Sequence, residues 1–129
     1  MKVLILSGGE LKEKEIDNTL ENLQEIVGGY IEIPFLSKVL NENGIDIIIN
    51  EEGKYIDGLT PEIAVVRTGT NQILDIVYGN CIFASHDEEG NTTALNDEQI
   101  KIVMEELETD VLLTDSKKGK NYLVKVLFV

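Results

Sequence analysis

The 129-residue chain carries 24 acidic side chains against 11 basic ones, which gives a formal net charge of −13 and a pI of about 4.3. This charge disfavours direct binding to nucleic acid or to an anionic membrane, because both are bound through clustered lysines and arginines. An apolar content of 43% argues against disorder, and the length fits one domain with its own core. We therefore expect a single domain over residues 1–129 whose favoured partner is basic; acidity that serves only solubility is the alternative.

The expected location is the cytoplasm. The single cysteine, Cys81, lies in an apolar run and indicates a reduced protein without disulfides. The short apolar start of the chain lacks the pattern of an export signal. No segment approaches the roughly 20 apolar residues that span a bilayer.

The first predicted elements are two strands. The apolar run Lys2–Ser7 predicts a buried strand, and Gly8 and Gly9 predict the turn that follows it. Residues 10–16 alternate in charge between two apolar ends, which indicates an exposed edge strand.

A short amphipathic helix is predicted next. Asn18 is the expected N-cap, with Glu21 at the capping-box spacing, and Gly28 is the expected left-handed residue that ends the helix. The apolar stripe expected to face the core consists of Ile16, Leu20, Leu23 and Val27.

An alternating segment follows this helix. In residues 30–36 we expect Ile31, Ile33 and Phe35 to face the core and Pro34 to end the strand pairing. Residues 37–43 are polar and predict no element. A strand is expected at residues 45–49.

The middle of the chain predicts turns, one helical turn and a central strand. Residues 50–54 (NEEGK) and 87–91 (DEEGN) resemble hairpin turns with a glycine at positive φ, and neither has the ligand pattern of a calcium loop. Pro61–Val66 is expected to start as a helix, because Thr60 and Pro61 fit the cap and first helical positions. The most apolar run, residues 73–84, predicts a central strand with a bulge or bend at Gly79.

The second amphipathic helix is the better specified one. Asn96 and Gln99 form a capping box, Leu95 and Ile100 fit a hydrophobic staple, and the stripe continues through Val103, Met104 and Leu107. Its outer face carries four carboxylates, Glu98, Glu105, Glu106 and Glu108.

Three of those carboxylates crowd the C-terminal end of the helix, where negative charge is unfavourable. A local rule broken in this way is a pointer to function, so the four glutamates are our candidate protein-binding surface. After this helix, Asp110–Asp115 and residues 121–129 predict a C-terminal β-hairpin joined by a basic turn.

Catalytic and metal-binding residues are scarce. Cys81 and the lone His86 have no further cysteine or histidine to complete a metal site, and a cysteine in an apolar strand is expected to be inert. His86 beside Asp87 is interpreted as a surface histidine rather than an acid–base pair. We therefore predict no metal, no cofactor and no enzymatic activity.

One loop offers an alternative kind of site. Arg67 is the only arginine, and it either serves an internal salt bridge or is reserved for a carboxylate, a phosphate or a base. In the second interpretation a nucleotide is held by that loop and a neighbouring aromatic side chain. The residues of this candidate ligand site are Arg67, Thr68, Thr70, Asn71, Tyr78 and Phe83.

Several segments together carry a family resemblance. Residues 16–33 (IDNTLENLQEIVGGYIEI), the NEEGK turn, and DEEGN followed by LNDEQI resemble a domain-of-unknown-function family of small acidic proteins carried by phages and conjugative elements. The resemblance covers about residues 1–108, and residues 109–129 look like an added hairpin. The family offers no catalytic motif to transfer. Its setting implies a protein that modulates host functions, for example in counter-defence, and that acts in the host cytoplasm.

We expect an α+β fold in which two amphipathic helices pack on a mainly antiparallel sheet, with a C-terminal β-hairpin. The favoured function is non-catalytic inhibition of a basic host protein, such as a nucleic-acid-binding defence effector, through the acidic surface. The alternative is a small-molecule binding protein that sequesters a nucleotide immune signal. Both functions are compatible with a homo-oligomer.

Overall fold

The computed structural model describes residues 1–115 and 118–129. In that part of the chain ten strands form two sheets. The strands are β1 (Lys2–Ser7), β2 (Glu10–Glu15), β3 (Ile31–Glu32), β4 (Ile45–Asn50), β5 (Pro61–Val66), β6 (Ile73–Tyr78), β7 (Cys81–His86), β8 (Thr92–Thr93), β9 (Asp110–Asp115) and β10 (Lys120–Phe128). The helices are α1 (Leu20–Val27), α2 (Lys38–Glu42) and α3 (Asp97–Glu106), and a 3₁₀ turn spans Gly53–Tyr55. The predicted α+β class is confirmed.

Sheet one is antiparallel throughout and has the order β2-β1-β7-β4-β3, with β8 paired to the end of β7. Helix α1 covers one of its faces, because Leu23 and Val27 pack on Val3, Ile48 and Ile82 of the strands. None of the described helices is long and apolar enough to cross a membrane.

Sheet two has the order β6-β5-β10-β9 and contains one parallel pair, β5 with β10. Its inner face packs on the second face of sheet one, where Ile63 and Leu127 contact the same core as Phe83. Val103 and Leu107 of α3 complete this core. Sheet one is therefore the middle layer of the molecule.

The outer face of sheet two packs only on itself. A separate apolar cluster forms there from Ala64 and Val66 of β5 together with Val124 and Val126 of β10. Leu113 of β9 and Tyr122 of β10 pack against it, so all its described members come from the strands of this sheet.

The predicted central strand over residues 73–84 is two strands in different sheets. Its first half is β6, an edge of sheet two, and its second half is β7, in the middle of sheet one. Gly79 lies between them with a φ of +85°, so of the two expectations for this residue the bend is found and the bulge is not. Periodicity did not reveal the break because both halves are apolar.

The helical turn predicted at Pro61–Val66 is also wrong, because this segment is β5 and all six residues are buried. Pairing with β6 on one side and β10 on the other outweighs the helix-start signal of Thr60 and Pro61. The hairpin turn predicted at residues 50–54 is instead the 3₁₀ turn, in which Gly53 lacks a positive φ. The turn at residues 87–91 is confirmed, with Gly90 at a φ of +84°.

Helix α1 begins one residue later than predicted. Thr19, not Asn18, is the N-cap, and its hydroxyl accepts a hydrogen bond from the Asn22 amide at 3.1 Å. The Asn18 side chain donates instead to the Thr92 carbonyl at 2.9 Å. Leu20 is 54% exposed, so it leaves the predicted stripe. The stop at Gly28 is confirmed by a φ of +85°.

The segment after α1 pairs only over Ile31–Glu32 and then leaves the sheet. Ile33 and Phe35, expected in the core, are 48% and 58% exposed. Helix α2 was not predicted; its cap is Ser37, whose hydroxyl accepts from the Leu40 amide at 3.2 Å. A helix of five residues is too short to show a period, which is why the sequence did not reveal it.

The C-terminal part agrees with prediction. The capping box of α3 is present, with Asn96 and Gln99 bonded reciprocally at 2.8 and 3.1 Å. Of the predicted stripe, Val103 and Leu107 are buried, whereas Met104 is 48% exposed. Strands β9 and β10 form the C-terminal hairpin, and residues 116–117 of its predicted basic turn lie outside the described residues.

Candidate functional site

The acidic end of α3, which we define as Glu105, Glu106 and Glu108, is held firmly by the core. Val103 and Leu107 are buried beneath it, and the Leu107 amide donates to the Val103 carbonyl at 3.0 Å. This anchoring turns Glu105 and Glu108 outward and leaves Glu106 half-buried. The last turn contains no basic residue, so the carboxylates add to the negative end of the helix dipole.

Asp97 at the start of α3 lies 4.0 Å from the Lys2 ammonium group, but the four candidate glutamates have no such partner among the described residues. None of the four predicted glutamates, Glu98 included, forms an ion pair there, although several carboxylates elsewhere do. Glu98 lies about two helical turns, or roughly 10 Å, before Glu105. Met104, the residue before Glu105, is 48% exposed and adds apolar surface at this end of the helix. A surface of this kind suits electrostatic docking of a basic protein.

The acidic end continues directly into β9. The Thr109 carbonyl accepts a hydrogen bond from the Val126 amide at 3.1 Å, which fixes the connection to β10. Asp110, the first residue of β9, pairs with Lys125 at 2.9 Å. Glu108 and β9 thus form one continuous surface, a juxtaposition that the helix pattern alone does not show.

The Arg67 loop lies at one end of sheet two, between β5 and β6. The Arg67 amide donates to the Gln72 carbonyl at 2.9 Å, and the Asn71 amide donates to the Arg67 carbonyl at 3.0 Å. Arg67, Thr68, Thr70 and Asn71 are all exposed. The internal salt bridge proposed for Arg67 is not found, because no described carboxylate lies within 4.0 Å of its guanidinium group.

The six residues of the predicted ligand site are not brought together. Tyr78 pairs with Pro61, at the opposite end of sheet two from the Arg67 loop. Phe83 is fully buried in the central core. The loop residues share one exposed surface, but neither aromatic side chain is placed to stack a base that the loop holds.

Tyr78 instead lines a different cavity, of about 320 Å³, on the outer face of sheet two. Ile76 and Tyr78 of β6 line one side, while Leu113 of β9 and Tyr122 of β10 line the other. Since β6 and β9 are the two edges of the sheet, the sheet curls around this space. We name it the tyrosine cleft. The sequence indicated Tyr78 but not Tyr122, which lies in a strand far along the chain.

The two residues considered for chemistry differ in exposure, since Cys81 is buried and His86 is exposed. Cys81 is buried, and that burial raises the pKa of its thiol well above the usual range, with the nearby Glu62 carboxylate raising it further. The hydrogen-bond partner of His86 is Asp46, not the adjacent Asp87. The His86 Nδ1 atom lies 3.0 Å from a carboxylate oxygen of Asp46. Asp87 caps its own turn, where the Asn91 amide lowers the pKa of its carboxyl. Among the described residues no cluster of three or more metal ligands is found.

A buried carboxylate that the sequence analysis missed joins the two sheets. Glu62 in β5 is 2% exposed and accepts hydrogen bonds from the Gly8 and Gly9 amides at 3.0 and 2.9 Å. The Thr60 hydroxyl donates to it at 3.1 Å. This carboxylate ties the β1–β2 turn to sheet two. The only sequence signal is a charged residue at the start of an otherwise apolar run.

Comparison with known proteins places the chain in a family. A family model described as domain of unknown function (DUF3846) matches residues 1–108. The chain belongs to the DUF3846 family. Searches of curated proteins and of solved structures found no match. The family match ends just before β9, so β9 and β10 lie outside it.

Proposed function

We propose that this DUF3846 protein is a non-catalytic binding protein whose acidic α3 surface docks on a basic host protein. The observation that carries the proposal is the set of carboxylates at the acidic end that form no ion pair with described residues and are anchored by buried Val103 and Leu107. The net charge of −13 extends the same potential over the surface and would speed association with a basic partner.

The resemblance described above suggests the biological setting. A small acidic protein of a phage or conjugative element that masks the basic surface of a host defence effector would act without chemistry of its own. The cytoplasm of the host is then its place of action. A nucleic-acid-binding effector fits because its binding surface is basic.

The test compares charge reversal at two places. The variant Glu105→Lys, Glu106→Lys, Glu108→Lys should lose capture of a basic protein from host lysate, and capture by the wild type should weaken steeply with salt. The matched control reverses Glu25, Glu52 and Glu88, which are exposed and form no ion pair with described residues. An equal loss of capture in both variants would show that only the net charge matters. Unchanged capture by the Glu105, Glu106 and Glu108 variant would exclude the acidic end as the binding surface.

The tyrosine cleft supports a second candidate, sequestration of a nucleotide or another small aromatic ligand. Its volume of about 320 Å³ falls at the lower limit of ligand pockets, about 300–1,000 Å³, and two tyrosines offer stacking surfaces. Binding at about 100 times the dissociation constant would add roughly 2.7 kcal/mol to the free energy of unfolding.

A panel of linear and cyclic nucleotides should then raise the melting temperature of the wild type. Tyr122→Ala should abolish that rise, whereas Tyr30→Ala, which removes a 73% exposed tyrosine that does not line the cleft, should not. A flat response to the whole panel would exclude this candidate.

A further inference from the structure

The outer edges of the two sheets are protected unequally. An edge strand carries unpaired backbone groups that recruit other strands, and folded proteins usually block it with charge, shortness or a covering segment. In sheet one, β2 is an edge with alternating lysines and glutamates, including Lys12 and Lys14. The other edge, β3, has only two residues. Both edges of sheet one are therefore blocked.

In sheet two the edge strand β6 is covered by the 3₁₀ turn. A Cβ atom at Gly53 would lie 2.7 Å from the Tyr78 carbonyl oxygen, so the turn lies directly on this edge. The next residue, Lys54, forms an ion pair with Asp75 of β6. The hydrogen bond from Lys54 to Asp75 raises the pKa of the lysine, which keeps the pair charged. The turn and the ion pair therefore cover the end of this edge near Asp75 and Tyr78, whereas Ile73 and Leu74 at its start are 48% and 41% exposed.

The fourth edge, β9, is six residues long, and its only charged residues, Asp110 and Asp115, stand at its two ends. In the described part of the chain β9 pairs only with β10, and every second residue of such a strand directs its N–H and C=O groups outward. Between Asp110 and Asp115 it contains neither lysine nor proline. Leu112 is 63% exposed and lies opposite Leu123, which is 65% exposed.

Charge decides which kind of strand fits this edge. The acidic end of α3 leads straight into β9 through Thr109, so the approach to the first end of this edge is negative, while Lys118 and Lys120 follow its other end. A second copy of the chain would bring its own charge of −13 to the same place, which disfavours self-association. A basic segment meets complementary charge and finds an apolar contact at Leu112.

We propose that β9 binds an extended segment of the basic partner as an added strand, with lysines or arginines alternating with apolar residues. This inference rests on the proposed function and names its binding mode. Backbone hydrogen bonds to β9 supply affinity, the apolar residues of the added strand pack beside Leu112, and the basic residues reach toward the acidic end. Because β9 lies beyond the matched residues 1–108, the edge belongs to a part of the chain outside the family match.

The probe is a short synthetic peptide in which lysine and valine alternate, labelled for fluorescence anisotropy. The wild type should bind it, and a peptide with the same residues in two blocks should bind far more weakly, because only alternation matches the two faces of a strand. On binding, alternate amides of residues 111–114 should become protected from hydrogen exchange, while amides of the β2 edge should not.

The decisive variant is Leu112→Lys, which gives β9 the same device that blocks β2. It should weaken binding of the alternating peptide at least about tenfold, as expected when a central interface residue is lost. Leu20→Lys is the matched control, since Leu20 is 54% exposed on α1, and it should leave binding unchanged. The variant protein should fold normally because Leu112 is a surface position.

Three outcomes would overturn strand addition. The first is equal binding of the alternating and the block peptide, and the second is wild-type affinity of Leu112→Lys for the alternating peptide. The third is a wild-type dimer, detected by sedimentation, that the Leu112→Lys variant does not form. If the triple reversal of Glu105, Glu106 and Glu108 loses the host protein while Leu112→Lys retains it, docking on the acidic end stands and strand addition fails. If Leu112→Lys loses the host protein while the triple reversal retains it, strand addition at β9 stands and docking on the acidic end fails.

Discussion

Sheet one and sheet two are built from similar apolar strands but are covered very differently. Sheet one has α1 on one face and sheet two with α2 and α3 on the other, and both of its edges are blocked. Sheet two is covered on its inner face only, and its outer face is formed by its own side chains around Tyr122. Its edge at β9 is unblocked in the described chain.

The difference suggests a division of roles. Sheet one is packed on both faces, because its strands contribute to the central cluster and to the cluster under α1, whereas sheet two meets another layer on its inner face only. Sheet two holds the tyrosine cleft and the open edge, the two places where another molecule finds unpaired backbone or apolar surface. Substitutions in the two sheets should therefore separate stability from binding.

The largest effect should come from truncating the core of sheet one. Phe83→Ala removes a fully buried ring and should lower the free energy of unfolding by about 3–5 kcal/mol. Tyr122→Ala on the outer face of sheet two should cost about 1 kcal/mol, because that ring is only partly buried. Urea denaturation followed by circular dichroism measures both. Similar losses would refute the contrast between the sheets.

The next effect concerns the carboxylate that joins the sheets. Glu62→Ala leaves the Gly8 and Gly9 amides without their acceptor and should cost about 2–3 kcal/mol. Glu52→Ala, at an exposed position, should change stability by less than about 0.5 kcal/mol. The same denaturation experiment measures both, and a neutral Glu62→Ala would mean that the sheets are held together without this contact.

A smaller effect is expected where the 3₁₀ turn covers β6. Gly53→Ala places a methyl group against the Tyr78 carbonyl and should cost about 1–3 kcal/mol, with faster hydrogen exchange in β6. Lys54→Ala removes a partly exposed ion pair and should cost less than about 1 kcal/mol. Unchanged exchange in Gly53→Ala would show that this edge does not depend on the turn for its protection.

Elements with strong local signals were predictable. The charged edge strand β2, the glycine stop of α1 and the capping box of α3 depend on residues within a few positions of one another. Segments whose secondary structure depends on pairing with distant strands were not predictable. Pro61–Val66 has a helix-start signal but becomes a strand because β6 and β10 flank it.

The candidate site divides in the same way. The prediction that Glu98, Glu105, Glu106 and Glu108 share one surface rests on helical spacing, which is a local property, and it stays a prediction. The set of Arg67, Tyr78 and Phe83 was not brought together, because nearness along the chain does not determine which end of a hairpin or which layer a side chain occupies. Glu62 and Tyr122 gain their roles from contacts with residues many positions away.

The sequence by itself determined the α+β class, the acidity, the capped helix α3 with its carboxylates, and the C-terminal hairpin. These features follow from composition and short-range periodicity, which do not change when distant segments are rearranged. Only the tertiary structure decided that residues 73–84 divide between two sheets at Gly79 and that β9 is left as an open edge. Strand order depends on which distant segments pack together. The alternation of side chains along one strand does not specify which other strand pairs with it.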